Sequence, residues 1–203
     1  IGTGAGALIL SGSGVRNSGN YSGLITNNSA LVYDSSADQT LGGIISGAGS
    51  ITKNGTSTLR LSAANTFSGG VTLNSGTLDL VSNTTMLGNG TTSVFTINGG
   101  ALDTSTGTAR TLTNSQVWNG DFQYLGTGGV QIVFSGPVTL GGNRVVTVSN
   151  TLSALSETGI IGDGGNVYGI TKEGAGTLSI GGGASNTYTG NTTVNAGNLY
   201  LAS

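Results

Sequence analysis

Cysteine and histidine are both absent from this 203-residue chain, which has a single proline. These absences exclude disulfides, thiolate and imidazole metal sites, and nucleophilic catalysis by Ser-His or Cys-His pairs. One proline also excludes polyproline and collagen-like structure. The composition therefore predicts no cofactor and favours a structural role over a catalytic one.

Charged residues are scarce, at 7% of the chain with a formal net charge of −2. The six cations are scattered, so no basic patch is present to neutralise phosphates, and we expect no nucleic-acid partner. Apolar runs such as "ALIL" at 7–10 are far too short to cross a bilayer. We therefore expect no membrane span in this segment.

Glycine is abundant, with 39 copies, and much of the remainder is Thr, Ser, Asn, Val and Ile. These residues favour turns and strands over helix interiors. Mean hydropathy is positive, at +0.13, whereas disordered chains combine low hydropathy with high net charge. The composition therefore predicts a folded, all-β chain.

A long phrase recurs along the sequence. "ITKNGTSTLRLS" at 51–62 continues into "NTFSGGVTLNSGTLDL", and "ITKEGAGTLSIGG" at 170–182 leads to "NTYTGNTTVNAGNLYL". A partial copy reads "NYSGLITNNSALVY" at 20–33. We interpret residues 1–203 as a single solenoid segment that is part of a longer protein, with copies near 2–33, 51–80 and 170–201 and a divergent middle near 82–165.

A finer unit has an asparagine followed four residues later by a leucine. Successive asparagines of this unit are 47, 24 and 97 residues apart, close to multiples of about 24. Such a period indicates a solenoid of short strands and glycine corners. The predicted fold is a right-handed parallel β-helix with about 24 residues per coil and about eight coils, while a barrel or sandwich is the competing interpretation. The predicted corner and ladder residues are Asn27, Asn74, Asn98, Asn195, Leu78, Leu102 and Leu199.

Two aspartates stand out as candidate catalytic residues. Asp79 and Asp103 are separated by one period of the repeat, and strand alternation places Asp79 opposite the inward Leu78, on an outward face. Retaining glycosidases use two carboxyl groups about 5 to 5.5 Å apart, and stacked carboxylates on adjacent coils would approach that distance. The alternative is a pair of solvated surface residues, which the non-acidic Val32 and Tyr200 at the equivalent positions favour. We predict that the chain is not an enzyme.

Other polar residues are interpreted as structural. Asp34 and Asp38 are too few carboxylates for calcium and predict a polar turn. Lys53 and Lys172 precede glycine turns, and we expect them to project outward and to prevent edge-to-edge pairing of solenoids.

The aromatic residues are interpreted as packing residues. Tyr21, Phe67 and Tyr188 share one place in the phrase and are expected to fill a corner of the core rather than to stack on sugars. Trp118 is expected in the core as well.

The string "ITKEGAGTLSIGGGASNTYTGNTTVNAGNLYL" closely resembles the autotransporter-associated beta-strand repeat, also called the passenger-associated transport repeat. The copy at 51–80 fits the same pattern, and the copy at 2–33 fits it in parts. This resemblance implies a β-helical passenger or stalk at the surface of a Gram-negative-type bacterium, in a long protein with an adhesive or structural role.

Together these observations predict an extracellular structural segment of a bacterial surface protein. The expected partners are neighbouring solenoid segments or further copies at both ends, with fibre formation as one form of that association, and surface glycans. A polysaccharide-binding or polysaccharide-degrading β-helix is the alternative function.

Overall fold

A computed structural model describes residues 6–81, 85–182 and 185–202. The chain winds into an all-β solenoid of about nine coils, with roughly 22 residues per coil. The strands pair in parallel between successive coils, because each coil runs in the same direction as the one before it. The predicted solenoid is confirmed, with a coil slightly shorter than the sequence period suggested.

Each coil passes three sides, named A, B and C in chain order. Side A is an eight-stranded sheet. Its strands are β1 (Ala7–Gly12), β4 (Ala30–Ser35), β7 (Ser50–Lys53), β9 (Val71–Leu73), β11 (Phe95–Ile97), β14 (Gln116–Trp118), β17 (Val138–Leu140) and β20 (Ile161–Gly162).

Side B is a nine-stranded sheet. Its strands are β2 (Asn20–Tyr21), β5 (Gln39–Leu41), β8 (Thr58–Leu61), β10 (Thr77–Leu80), β12 (Ala101–Asp103), β15 (Phe122–Tyr124), β18 (Arg144–Val148), β21 (Ile170–Glu173) and β23 (Thr192–Val194).

Side C is less regular and holds a two-stranded and a five-stranded sheet. A short 3-10 turn, Asn17–Gly19, precedes β2. The strands of side C are β3 (Ile25–Thr26), β6 (Ile45–Ser46), β13 (Arg110–Leu112), β16 (Gln131–Phe134), β19 (Ala154–Glu157), β22 (Thr177–Ile180) and β24 (Asn198–Leu201).

The core is one continuous interior lined by inward ladders from the three sides. Strand residues alternate between buried and outward positions, as in β8, where Leu59 and Leu61 are fully buried. Leu78 pairs with Leu59 below it and with Leu102 above it, so one leucine ladder runs through three coils of side B. Leu199 continues a separate ladder on side C, above Leu178.

Coil length varies along the solenoid, and the variation places loops on its surface. The circuit from Thr58 to its ladder partner Thr77 is short, whereas the circuit from Arg144 to its partner Ile170 takes several residues more. Because the strands must stay in register, the additional residues of the longer coils form loops that project from the solenoid between two sides. Within the described ranges no helix has the length and apolarity needed to cross a membrane.

Candidate functional site

Two lysines of the repeated phrase occupy core positions, so the prediction that they project outward was wrong. Lys53 and Lys172 are both fully buried, and Lys53 stands in an inward ladder between Tyr33 and Leu73. Strand alternation explains this, because each lysine is two residues after a buried isoleucine. The ammonium groups therefore need partners inside the protein.

Backbone carbonyls at the following corner supply those partners. Lys53 Nζ donates to the carbonyl oxygens of Asn54, Gly55 (3.0 Å) and Ser75 (3.3 Å). Its ammonium also lies 5.5 Å from the centre of the Tyr33 ring. Three carbonyls satisfy the three donors of an ammonium group and orient it, so a charge buried in the core remains hydrogen-bonded.

The second copy repeats this geometry. Lys172 Nζ donates to the carbonyl oxygens of Glu173 (2.6 Å), Gly174 (2.7 Å) and Ala196 (3.1 Å). In both copies the third carbonyl belongs to the "NxG" turn one coil later. Glycine is required in that turn: Gly76 has φ of +69°, and a Cβ there would collide with Lys53 Nζ and with the coil below.

Burial shifts the pKa of both ammonium groups downward. Desolvation lowers the pKa of Lys53 to about 8, opposed by the nearby carboxylates of Asp34 and Asp38. Desolvation likewise lowers the pKa of Lys172, opposed by Glu173.

The candidate pair Asp79 and Asp103 is in register but not exposed. The two residues are direct partners in the β10–β12 ladder, on the side of the strand opposite the core leucines. Yet only 1% of Asp79 and 7% of Asp103 is accessible, because a loop of the next coil covers each of them. The expectation of an open outward face at these carboxylates was wrong.

Both carboxylates are committed to hydrogen bonds. Asp79 accepts from the backbone N–H (3.0 Å) and hydroxyl (2.6 Å) of Ser105, and Arg60 Nε donates to it at 2.7 Å. Asp103 accepts from the backbone N–H (2.8 Å) and hydroxyl (2.7 Å) of Thr127. Each aspartate thereby fastens a loop of the coil that follows.

The same arrangement recurs at Asp163, which directly follows β20. Asp163 accepts the backbone N–H (2.8 Å) and hydroxyl (2.9 Å) of Thr189 from the next coil, and the N–H of Gly165 (3.1 Å). Backbone N–H donation from Thr189 is the largest of the effects that lower the pKa of this carboxyl. Asp38 takes part in a similar contact by accepting the N–H of Thr58 (2.8 Å).

Asp34 and Asp38 form no metal centre with their described neighbours. Asp34 and Asp38 are both exposed, in agreement with a polar turn. Among the described residues, no three acidic side chains lie close enough together to hold a metal ion.

The predicted asparagines lie at three different corners. Asn98 donates to Asn74 (2.7 Å) and accepts from Asn119 (3.1 Å), so these amides form a ladder at the corner between sides A and B. Asn27 is buried at the end of β3 on side C, where its amide donates to the carbonyl of Ser50. Asn195 follows β23 and donates to Glu173 (2.6 Å), at the corner between sides B and C.

The assumed period explains why these four residues were grouped. The interval from Asn98 to Asn195 fits four coils of the predicted length, but with roughly 22 residues per coil it corresponds to four coils and one further side.

The aromatic residues that share one place in the phrase likewise lie on different sides of the solenoid. Phe67 is fully buried, whereas Tyr21 and Tyr188 are half-buried on other sides. Trp118 is buried as predicted, and it donates to Gln116 at 3.1 Å.

Sequence reasoning missed the buried Glu157. Its side chain is fully buried in an inward ladder between Phe134 and Ile180, with Gln116 donating to one oxygen at 2.6 Å. The other oxygen has no partner within the described part of the chain. Desolvation raises the pKa of Glu157 well above its usual value, against the smaller effect of Gln116. Alternation from the inward Leu155 was the signal that could have found it.

A second missed feature is the first asparagine of the phrase. Asn65 Oδ1 accepts the backbone N–H of Ile45 (2.9 Å), and Asn186 Oδ1 accepts that of Ile161 (2.9 Å). The equivalent residue of each copy thus binds the previous coil in the same way. The lysine and the first asparagine of the phrase therefore hydrogen-bond to another coil, and the glycine allows the close approach of the coils at the turn.

Comparison with known proteins agrees with this architecture. A family model described as the passenger-associated-transport-repeat matches residues 51–80 and 170–201. The adhesin BmaC autotransporter of Brucella suis biovar 1 (strain 1330) is 31% identical over 191 residues, which cover 85% of this chain and 6% of that relative. The chain thus spans a small fraction of the relative's length. No solved structure matches.

Proposed function

This chain carries two passenger-associated transport repeats, and from that premise we propose that it is a non-catalytic scaffold segment of a bacterial surface passenger. The observation that carries the proposal is how each repeat is used: its lysine and its first asparagine both bind backbone groups of another coil, and neither is free for chemistry. The similarity to a protein named as an adhesin autotransporter supports a place at the cell surface.

Neither carboxylate of the candidate catalytic pair is available to act on a substrate. Asp79 and Asp103 are buried, and each binds the N–H and hydroxyl of one residue in the next coil. A general acid or nucleophile must reach its substrate, so this arrangement favours a structural role for both. A polysaccharide-degrading function therefore has no observation in its favour.

We further propose that neighbouring solenoid coils are the partners at the two ends. Strands β23 and β24 lie at the edges of their sheets at one end, with Val194 48% and Leu201 73% exposed, and β1 and β2 are the edge strands at the other end. Parallel strands of another coil would pair with these edges and cover the apolar residues. Adjoining coils in the same protein and a second copy of the chain both supply such strands, and the second case gives a fibre.

Surface labelling tests the scaffold proposal. An epitope inserted beside the exposed Leu152, in the loop between β18 and β19 of the parent protein, is expected to be accessible to antibody on intact cells of the source bacterium. Access only after permeabilisation of the outer membrane would contradict it. Light scattering of the isolated chain over a concentration series separates the two end partners, since growth into fibres supports copies and a constant monomer supports adjoining coils.

A further inference from the structure

A groove with a volume of about 360 Å³ lies on side B, across its last strands. Its lining includes Asn143, Val167, Thr171, Thr189, Asn191 and Thr193, and no lining residue is charged. We propose that this groove binds a neutral saccharide. The proposal concerns a binding site that is separate from the scaffold role, and either can hold without the other.

One wall of the groove is a loop whose residues exceed the number that an average coil contains. The circuit from Arg144 to Ile170 is longer than the average coil of roughly 22 residues, and the additional residues lie in the loop 163–169 between β20 and β21. A loop of this kind could be too mobile to form a site. Here its two ends are hydrogen-bonded to other coils.

The first anchor is the carboxylate of Asp163, which binds the backbone N–H and hydroxyl of Thr189 one coil later. The second anchor is Asn143, whose Oδ1 accepts the N–H of Gly169 at 2.8 Å from the coil before. Within the loop, Asn166 donates to the carbonyl of Asp163 at 2.9 Å. Because these contacts fix the wall in the free protein, a ligand would lose little free energy in ordering it.

The floor of the groove presents uncommitted polar groups. Thr171 and Thr193 are direct partners in the β21–β23 ladder, so their outward side chains stand about 4.8 Å apart. Their hydroxyls and the carboxamide of Asn191 make no hydrogen bond to any described residue. The amide nitrogen of Asn143 has no partner in the described part of the chain either, since only its oxygen takes part in a bond there.

These groups match the chemistry of a neutral sugar. Threonine hydroxyls and asparagine amides both donate and accept, as sugar hydroxyls do. Val167, 74% exposed, offers an apolar contact for the C–H face of a ring. The lack of cations in the lining argues against phosphate, sialic acid or other acidic ligands. The volume lies within the range of about 300 to 1,000 Å³ that is usual for small-ligand sites.

The decisive variant removes the hydroxyls without changing the strands. Thr171→Val combined with Thr193→Val keeps side-chain volume and β propensity. Thr72→Val combined with Thr96→Val is the matched control, since these threonines are also outward partners in a ladder, on side A and away from the groove. Val167→Glu is a second groove variant at an exposed loop position, where it does not disturb a ladder.

Ligand-observed NMR of the 203-residue chain tests the proposal with the neutral oligosaccharides lacto-N-tetraose and cellohexaose, and with acidic sialyllactose for comparison. We expect at least one neutral oligosaccharide to bind, with about tenfold weaker affinity in both groove variants and no change in the control. Thermal melting of each variant verifies folding.

Three results would overturn the saccharide proposal: no binding of either neutral probe at about 10 mM, equal binding by the groove variants, or preferential binding of sialyllactose. Antibody labelling of cells is expected to be the same for all variants, so that loss of binding and loss of the scaffold role are distinguishable.

Discussion

The two repeat copies have the same phrase but lie on different sides of the solenoid. The copy at 51–80 passes sides A, B, C, A and B, whereas the copy at 170–201 passes B, C, A, B and C. At roughly 22 residues per coil, the interval from Ile51 to Ile170 is five coils and one further side. The phrase therefore encodes a corner together with the contacts of that corner to the next coil, and it occurs at more than one of the three corners.

The copies also differ in how many neighbours they have. The first copy lies between other coils on both sides, and its Phe67 is fully buried. The second copy has coils on one side only among the described residues, and its Tyr188 is half-buried while Leu201 is 73% exposed. Equal phrases should then contribute unequally to stability.

The largest expected effect is the loss of a buried lysine. Lys53→Met keeps the chain length but leaves three carbonyl oxygens without their donor, and we expect it to lower the free energy of unfolding by about 2 to 3 kcal/mol. Lys172→Met should cost about half as much, because Ala196 and Gly197 are exposed and water can replace the donor there. Denaturant unfolding measures both values.

Arg16→Met is the control for that comparison, since it removes an exposed positive charge that lies over the Tyr21 ring. Its effect should stay below about 1 kcal/mol. Equal losses at Lys53 and Lys172 would mean that water access does not distinguish the two copies.

A smaller effect is expected in the divergent middle, where a buried carboxyl group is not fully satisfied. In contrast to Lys53, Glu157 leaves one oxygen without a partner among the described residues, and its pKa is raised by burial. No charged group contributes to that pKa within the described ranges: Phe134 and Ile180 flank Glu157 in its ladder, and Gln116 faces it from side A.

The unfolded chain releases this proton at lower pH than the folded chain, so the Glu157 contribution to stability is complete below the usual pKa of a glutamate and declines as pH rises toward the raised pKa. Glu157→Gln should remove that decline. The variant should melt higher than the parent at pH 8, with the difference shrinking toward pH 4. Glu173→Gln, at a half-exposed position, is the control. A constant difference between pH 4 and pH 8 would exclude titration of Glu157 as its cause.

The smallest effect concerns the corner asparagines. Asn98 takes part in two hydrogen bonds of the amide ladder, whereas Asn195 makes one to Glu173. Both asparagines are exposed, so Asn98→Ala should cost less than about 1 kcal/mol and Asn195→Ala less still. Thermal melting measures both losses of stability. A larger loss for Asn195→Ala than for Asn98→Ala would contradict a stabilising contribution of the amide ladder.

Much of the fold could be predicted because solenoid coils repeat local rules. Glycine, threonine and asparagine content predicted strands and corners, and the alternation around Leu78 predicted the ladder that pairs it with Leu102. The direct pairing of Asp79 with Asp103 also followed from spacing alone. Their burial did not, because loops from another coil cover them and loop paths are not encoded in a two-residue period.

Side chains that bind the next coil were the least predictable. Lys53 was assigned to the surface from its position before a glycine turn, whereas the carbonyl oxygens that accept its hydrogen bonds include that of Ser75 in the next coil. Asn195 was assigned to the wrong corner because a small error in coil length accumulates over four coils.

The sequence by itself determined that this protein is an all-β solenoid, that its phrase marks corners, and that histidine and cysteine chemistry is absent. Only the tertiary structure decided which side each corner lies on, that the lysines and Glu157 are inside, and that Asp163 fixes a loop beside a neutral groove. The reason is physical: strand alternation and turn geometry act over a few residues, whereas burial and hydrogen bonding in a solenoid depend on the coil above and the coil below.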